Sequence, residues 1–175
     1  MIETERLLLR PWRTEDAAAH HALCADPRVA ATLGPPPAPA DSAAVVARQN
    51  AILAAIGSCF WAMELRERGA FVGWCGLQPG KPPIEGETEI GWTLKPDLWG
   101  RGLAHEAAEA TLAWAWANTP LARVVAITSR RNRRSRALME RLGMRRLAGG
   151  DFDHPSLAAD DPLRPHVTYL IERPR

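Results

Sequence analysis

This sequence is nearly without lysine. Of its 22 basic residues only Lys81 and Lys95 are lysines, so the positive charge is carried by guanidinium groups. Its three cysteines, Cys24, Cys59 and Cys75, form no CxxC pair and leave an odd thiol, which argues against a disulfide framework and a zinc cluster. No metal is expected. Long apolar runs are missing too: the longest, Ala51 to Met63, is broken by Gly57 and Ser58 and falls short of the roughly 20 residues of a membrane helix. The opening Met-Ile-Glu-Thr-Glu is acidic where a secretory leader would be basic and then apolar, so a cytoplasmic protein with no membrane partner is expected. A formal net charge of +2 is too small to demand a nucleic-acid partner. No internal repeat is visible.

What is present describes one ordinary domain. The 175 residues are 46% hydrophobic and 24% charged, enough to bury a core, and no linker divides residues 1–175. The segments Gly34 to Ala40 and Pro79 to Gly86 read as stiff loops. A strand is expected at Glu5 to Arg10, ended by Pro11. Thr14 is placed to cap a helix running to Cys24, and Asp41 to cap a second, Ser42 to Ile56, stopped by Gly57. Cys59 to Leu65 and Phe71 to Leu77 read as a hairpin. Glu87 to Leu94 alternates as a third strand, completing an antiparallel meander.

Beyond Leu94 the pattern changes. A helix is expected from Leu103 to Asn118, a strand from Val124 to Thr128, and a helix from Ser135 to Leu142 closed by Gly143. Strands at Met144 to Leu147 and His166 to Ile171 finish the chain. Strand–helix–strand–helix–strand implies crossovers and local parallel pairing, so the fold class is a mixed α/β sheet with helices.

The segment Trp92-Thr-Leu-Lys-Pro-Asp-Leu-Trp-Gly-Arg-Gly-Leu-Ala-His-Glu-Ala carries the chemistry. A strand ends near Pro96, a short glycine-containing loop follows, and a long helix begins at once. Amides at a helix start have no intrahelical partner, and the macrodipole adds roughly half a positive charge there. Gly100 and Gly102 keep side chains out of the way, and Arg101 adds a cation. Such a turn cradles phosphate. It is neither G-x-x-x-x-G-K-[ST] nor G-x-G-x-x-G, because His105 stands at the third glycine position. The same turn also serves as a plain strand-to-helix connection.

Three segments break this tie: Glu89-Ile-Gly-Trp, Trp99-Gly-Arg-Gly-Leu-Ala-His-Glu-Ala, and Asn132-Arg-Arg-Ser-Arg-Ala-Leu-Met-Glu-Arg-Leu-Gly-Met. Together they resemble the GNAT-type N-acetyltransferases, in order and spacing along essentially the whole chain. The opening Glu3-Thr-Glu-Arg-Leu-Leu-Leu-Arg-Pro-Trp and the ending Phe152-Asp-His-Pro and His166-Val-Thr-Tyr are similar to the RimJ/RimL branch, the ribosomal-protein N-terminal acetyltransferases. The resemblance implies a mostly antiparallel sheet of six to seven strands flanked by helices. It also implies acetyl-CoA as co-substrate and a small-molecule or peptide amine as acceptor. By the same resemblance the pantetheine arm lies along Trp92, Thr93 and Leu94, and the pyrophosphate loop is Trp99, Gly100, Arg101, Gly102, Leu103 and Ala104. Asn132 is a further coenzyme contact, with a helix cap as its plainer role. A homodimer is within the family's range.

Direct attack on a thioester needs a neutral amine and a group to take its proton. Glu89, just before the pantetheine edge, is the candidate base; Glu87, two residues earlier on the same face, is the alternative. Either also suits an ion pair with an arginine. Where many relatives have a tyrosine acid this chain has Met139, so Ser135 is the candidate proton donor to the departing thiol, with water as the other source. Ser135 also suits a bond at its helix start. The five arginines in the seven residues from Arg130 to Arg136 suit the coenzyme's 3′-phosphate or a solvated face; without interleaved aromatics they do not make a base-stacking groove. Asp16, His20 and Cys24 share one helix face, but no fourth metal ligand accompanies them. Trp12 and Trp61 are candidates for the acceptor wall. His154 and His166 flank a loop, Asp151 to Pro165, placed to close over an acceptor. The competing reading is a non-catalytic acyl-CoA-binding sensor on the same fold.

Overall fold

The chain alternates strands and helices in two different ways. In a computed structural model, which describes residues 1–174, the first part runs β1 (Ile2–Glu3), β2 (Leu7–Arg10), α1 (Asp16–Ala25), α2 (Pro27–Leu33), α3 (Pro39–Ile56), β3 (Phe60–Leu65), β4 (Ala70–Pro79) and β5 (Thr88–Leu94). A single 3-10 turn, Pro96–Leu98, leads to α4 (Leu103–Asn118), β6 (Arg123–Ser129), α5 (Arg133–Arg141), β7 (Arg145–Arg146), β8 (Phe152–Asp153) and β9 (Pro165–Glu172). All nine strands form one sheet in the order β1-β2-β3-β4-β5-β6-β9-β7, with β8 paired to β9. The expected mixed, mostly antiparallel sheet with flanking helices is what forms. Its strand number exceeds the expected six to seven because β1 and β8 are two-residue pairings, too short to leave a period in the sequence, while β7 is what forms of the strand expected at Met144 to Leu147.

β1 to β5 pair antiparallel in sequence order. The α4 crossover then makes β5 and β6 parallel. The second crossover, through α5, does not give a parallel neighbour. β9 inserts between β6 and β7, antiparallel to both.

Several boundaries move for local reasons. The expected first strand shortens to β2, and Ile2–Glu3 pairs back on it as β1 across a turn at Thr4, whose hydroxyl accepts the Leu7 amide at 2.9 Å. α1 begins at Asp16 without a Thr14 cap, and the Asp16 carboxylate accepts the Arg13 amide at 2.7 Å. α2 lies outside the sequence expectations, although Asp26 caps it by accepting the Arg28 amide and Pro27 opens it. α3 starts earlier than expected because Pro39 can occupy the first turn. Asp41 sits inside that turn and accepts the Ala38 amide at 3.1 Å. α5 starts at Arg133, capped by Asn132.

Side-chain alternation sends two sets of residues to opposite faces of the sheet. Trp61, Met63, Cys75, Leu77, Ile90 and Leu94 pack against Leu103, Ala107 and Leu112 of α4. Across the sheet, Ala62, Phe71 and Trp74 meet Trp12, Leu23, Val29 and Val46, the latter three from α1, α2 and α3. Trp61 is buried among the first set, so it forms core and not an acceptor wall. Met139 is likewise 1% exposed within that core, which explains an apolar residue at this position. Among the described residues no helix is long and apolar enough to cross a membrane.

A buried charge network pins α1 to the sheet. Arg10 Nη1 donates to Asp16 at 2.7 Å and its Nε to Glu64 at 2.6 Å, with side-chain exposures of only 4–11%. Burial by itself raises the Asp16 carboxyl; bonds from Arg10 and from the Arg13 amide outweigh it and hold the group below its ordinary value.

Candidate active site

β5 is paired unequally on its two sides. Toward β4 its register runs from Thr88 to Leu94, whereas toward β6 a single pair, Glu89 with Val125, is made. Beyond Glu89 the parallel strands diverge, and the β6-facing edge of β5 from Ile90 to Leu94 has no partner strand among the described residues. An unpaired strand edge presents main-chain donors and acceptors to any extended ligand.

A cavity of about 400 Å³ opens at this divergence. Trp92, Thr93 and Leu94 line it from the strand, and Trp99, Gly100, Gly102, Leu103 and Ala104 from the loop and the first turn of α4. Asn132 and Ser135 line it from α5. Arg101 does not; its side chain is exposed and its carbonyl accepts Arg6 Nη1 at 3.0 Å. Gly100 and Gly102 have φ of +77° and +79°, a left-handed backbone that side-chain-bearing residues avoid, and a Cβ at Gly100 would meet nothing within 4 Å. Conformation, not crowding, therefore demands these glycines. Gly102 precedes α4 with no capping side chain, so the first amides of that helix are left for a ligand. Arg6 and Thr4 grip the Glu106 carboxylate in the same turn (Thr4 Oγ1 donating at 2.6 Å, Arg6 Nε at 2.6 Å), which fixes the start of the helix against β2.

Most of the remaining wall lies outside the sequence expectations; Arg134, one of the five clustered arginines offered for the coenzyme, is the exception. Val29, Thr32 and Leu33 come from α2, whose Asp26-Pro27 cap signal was there to be read. Arg134 and Arg141 come from α5, and the Arg134 guanidinium stacks 4.5 Å from the centre of the Trp99 ring. Trp99 in turn donates its indole N–H to the Leu94 carbonyl at 2.8 Å, tying the loop to the strand end. The other arginines differ: Arg130 pairs with Asp151 at 2.8 Å, and Arg136 donates to the Arg130 carbonyl at 3.2 Å.

Glu89 occupies the vertex, half-buried, and lines neither this cavity nor the one on the α1–α3 face of the sheet. Burial pushes its carboxyl above the ordinary glutamate value, against the bond from Gln78 and the charge of Lys81. Glu87 is engaged elsewhere: Arg123 clamps it, donating from Nε at 3.0 Å and from Nη2. Asn132 accepts the Ser135 amide at 3.2 Å, so the cap fixes the backbone that carries the Ser135 hydroxyl. Tyr169 donates to Glu140 at 2.9 Å and is buried. His154 and His166 lie with ring centres 4.8 Å apart, and His166 stacks on Phe152.

Asp16, His20 and Cys24 are occupied by other partners: Arg10 holds Asp16, and His20 reaches Ser42 at 3.0 Å and Cys24 at 3.7 Å. Burial raises the Cys59 and Cys75 thiols to about 12, leaving them protonated and poorly nucleophilic near neutrality.

The second cavity, of about 310 Å³, lies on that α1–α3 face. Trp12, Phe60, Trp74 and Gln78 line it, as do Gln49 and Arg48 of α3. Gln78 Nε2 reaches Glu89 Oε2 at 3.4 Å, so the wall of this cavity touches the vertex carboxylate. Leu33 lines both cavities and is 49% exposed between them.

The family model described as "Acetyltransferase (GNAT) domain" matches residues 6–145. A solved acetyltransferase from Agrobacterium tumefaciens str. C58 is 31% identical, with 98% of this chain and 93% of that one covered at a TM-score of 0.78. A GNAT-family acetyltransferase from Bacillus anthracis is 25% identical, with 98% of each chain covered at 0.81. Among curated proteins, the uncharacterized protein YkkB of Bacillus subtilis (strain 168) is 33% identical over 90 residues, 50% of this chain and 51% of that protein. The curated relatives are thus matched over about a third to a half of their length.

Proposed function

The chain belongs to the GNAT acetyltransferase family, and from that premise we propose that it is an acetyl-CoA-dependent N-acetyltransferase acting on a primary amine by direct attack. The observation that carries this reading is the divergence of β5 from β6, one register pair and then an open edge, above a cavity bordered by the uncapped start of α4. The residues there suit the coenzyme's parts. Trp92, Thr93 and Leu94 offer the strand edge to the pantetheine amides. Gly100, Gly102 and the first amides of α4 suit the pyrophosphate, and Arg134 supplies a cation beside the same cavity. Bound acetyl-CoA supplies the activated acyl group.

Glu89 takes the proton from the acceptor's ammonium, a role helped by a carboxyl raised toward the working pH. Ser135, on the coenzyme cavity, is the donor to the departing thiolate. Motif content, namely the Glu3–Trp12 opening and Trp99 at the head of the loop, supports a place in the RimJ/RimL-like branch.

Thermal unfolding with acetyl-CoA, with NAD and ATP as controls, tests the reading. Saturation at 100 times the dissociation constant stabilises by about 2.7 kcal/mol, a rise of about 5–10 °C for a chain of this size. A rise with acetyl-CoA and not with the controls is expected. No rise overturns the reading.

A further inference from the structure

The second cavity has one charge and one kind of hydrogen-bonding vacancy. Most polar side chains in its wall are already engaged inside the protein. Trp12 Nε1 donates to the Phe60 carbonyl at 2.6 Å, and Gln49 Oε1 accepts the Phe60 amide at 2.9 Å. Gln49 Nε2 donates to Gln78 at 3.3 Å, and Gln78 in turn to Glu89. His20 is taken by Ser42 and Cys24. What is left is the Arg48 guanidinium and the Trp74 indole, neither of which has a hydrogen-bond or ion-pair partner among the described residues. Both are donors only. No carboxylate lines the cavity.

The apolar part of the wall is equally defined. Phe60 and Trp74 stack at 4.9 Å and 18° on the sheet face that also carries Glu89, since Gln78 pairs with Glu89 and Trp74 with Thr93. A volume of about 310 Å³ is at the small end for ligand sites, room for a small molecule.

We propose that this cavity takes a small amino-carboxylate as acceptor, with its carboxylate on Arg48, an aromatic or branched apolar body against Phe60 and Trp74, and its amine toward Glu89. The proposal rests on the acetyltransferase reading for its chemistry. The ammonium, at the Gln78 end of the cavity, passes a proton through one water to Glu89, which stands behind that wall. The freed amine nitrogen then bonds the acyl carbon as the C–S bond breaks, and its second proton ends on the departing thiol. A polyamine is disfavoured, since a second cation would meet Arg48 with no carboxylate in the wall to answer it.

The test compares L-phenylalanine with phenethylamine, and L-leucine with isoamylamine, pairs that differ by the carboxylate alone; spermidine is a fifth probe. Binding to the full chain is measured by calorimetry with and without coenzyme A, and turnover by thiol release from acetyl-CoA. We expect each amino acid to bind at least tenfold tighter than its decarboxylated partner and to be turned over with the lower KM. Arg48→Ala should collapse that ratio toward one and Arg48→Lys keep part of it, with unfolding midpoints near wild type because Arg48 is exposed. Equal binding within each pair, no binding by any probe, an undiminished ratio in Arg48→Ala, or preference for spermidine overturns the proposal. So does a peptide with an acidic N-terminal residue that outcompetes both amino acids. The two readings fail separately. A coenzyme-induced thermal shift without carboxylate preference removes the acceptor assignment alone; carboxylate preference without that shift removes the transfer reading alone.

Discussion

The two cavities are built from different materials. The first cavity, proposed for the coenzyme, takes its shape from one stretch of main chain, the open edge at Trp92–Leu94 and the turn from Trp99 to Ala104, completed by α5 and α2. The second is made of side chains delivered by the β2–α1 connection, α1, α3, β3, β4 and the end of α2 with the loop after it. A ligand held by amides and a strand edge asks for glycines and a helix start in fixed order. A ligand held by side chains asks only that some residues converge. The comparison teaches that one partner of a transfer reaction can be held by backbone of fixed form while the pocket for the other is free to vary in side chains.

The largest expected effect falls on the carboxylate between them. Glu89→Gln should lower kcat by about 10²–10⁴-fold, the range for a general base, while acetyl-CoA binding followed by calorimetry is unchanged. Glu87→Gln should cost at most about tenfold, because Arg123 already holds Glu87 and an exposed pair is worth about 1 kcal/mol or less. Equal losses would remove the distinction between the two. The pH profile sharpens it. A base works only when ionised, so activity should fall as pH drops through the Glu89 pKa, which burial sets above the ordinary value of 4.5. Gln78 lowers that pKa by its bond, so Gln78→Leu should move the acid limb of kcat/KM to higher pH.

Next is the frame of the second cavity. Arg10→Ala leaves the buried Asp16 with only the Arg13 amide and Glu64 with only the half-exposed Arg13 guanidinium, a loss of about 3–5 kcal/mol measured by urea unfolding. The sign with pH follows from Asp16. Its folded pKa is depressed, so its contribution is present above the unfolded value and is lost as pH falls through the folded one, below 3.8. In Arg10→Ala this acid-side loss should shrink, since the principal partner holding the carboxylate down has gone.

Third, Gly102→Val should weaken acetyl-CoA about 5- to 150-fold, from about 1–3 kcal/mol of strain at a φ of +79°. Acceptor binding by calorimetry should be unaffected. Coupled losses at both sites would mean that the cavities are not separate units.

The fold and the strand–turn–helix at Gly100–Gly102 are legible because their signals are local. Alternation marks β5, two strand-like runs joined by a short turn mark β3 and β4, and the Gly100–Gly102 turn with α4 stands at the boundaries its sequence predicts. α2 escapes because its seven residues lie between the helix expected to end at Cys24 and the Gly34–Ala40 loop, although Asp26 and Pro27 are a cap pair. β7 falls inside the strand expected at Met144 to Leu147, whereas β8 escapes because its two residues are held by β9, farther along the chain. The second cavity is nearly invisible. Trp12 stands out as a wall candidate, but Arg48, Phe60 and Trp74 are joined only by register and helix packing. Trp61, its companion among the candidates, faces the opposite side of the sheet, as the one-residue offset from Phe60 requires.

That offset also sets the smallest and most selective test. Gly91 pairs with Gly76 on β4 and lies beneath the Phe60–Trp74 stack: a Cβ there would stand 2.9 Å from Phe60 Cζ and 3.3 Å from Trp74 Cζ3. Both atoms belong to side chains lining the second cavity, and the strand itself is held by β4. Gly91→Ala should therefore shift the rings and leave the backbone in place, at a cost of about 1 kcal/mol. Acceptor KM should rise a few-fold, whereas acetyl-CoA binding, proposed for the β6-facing edge and the loop beyond Leu94, should not change. A fall in coenzyme affinity with acceptor KM constant would show that the stacked pair supports the strand edge and not the acceptor, and would reverse the division of labour between the two cavities.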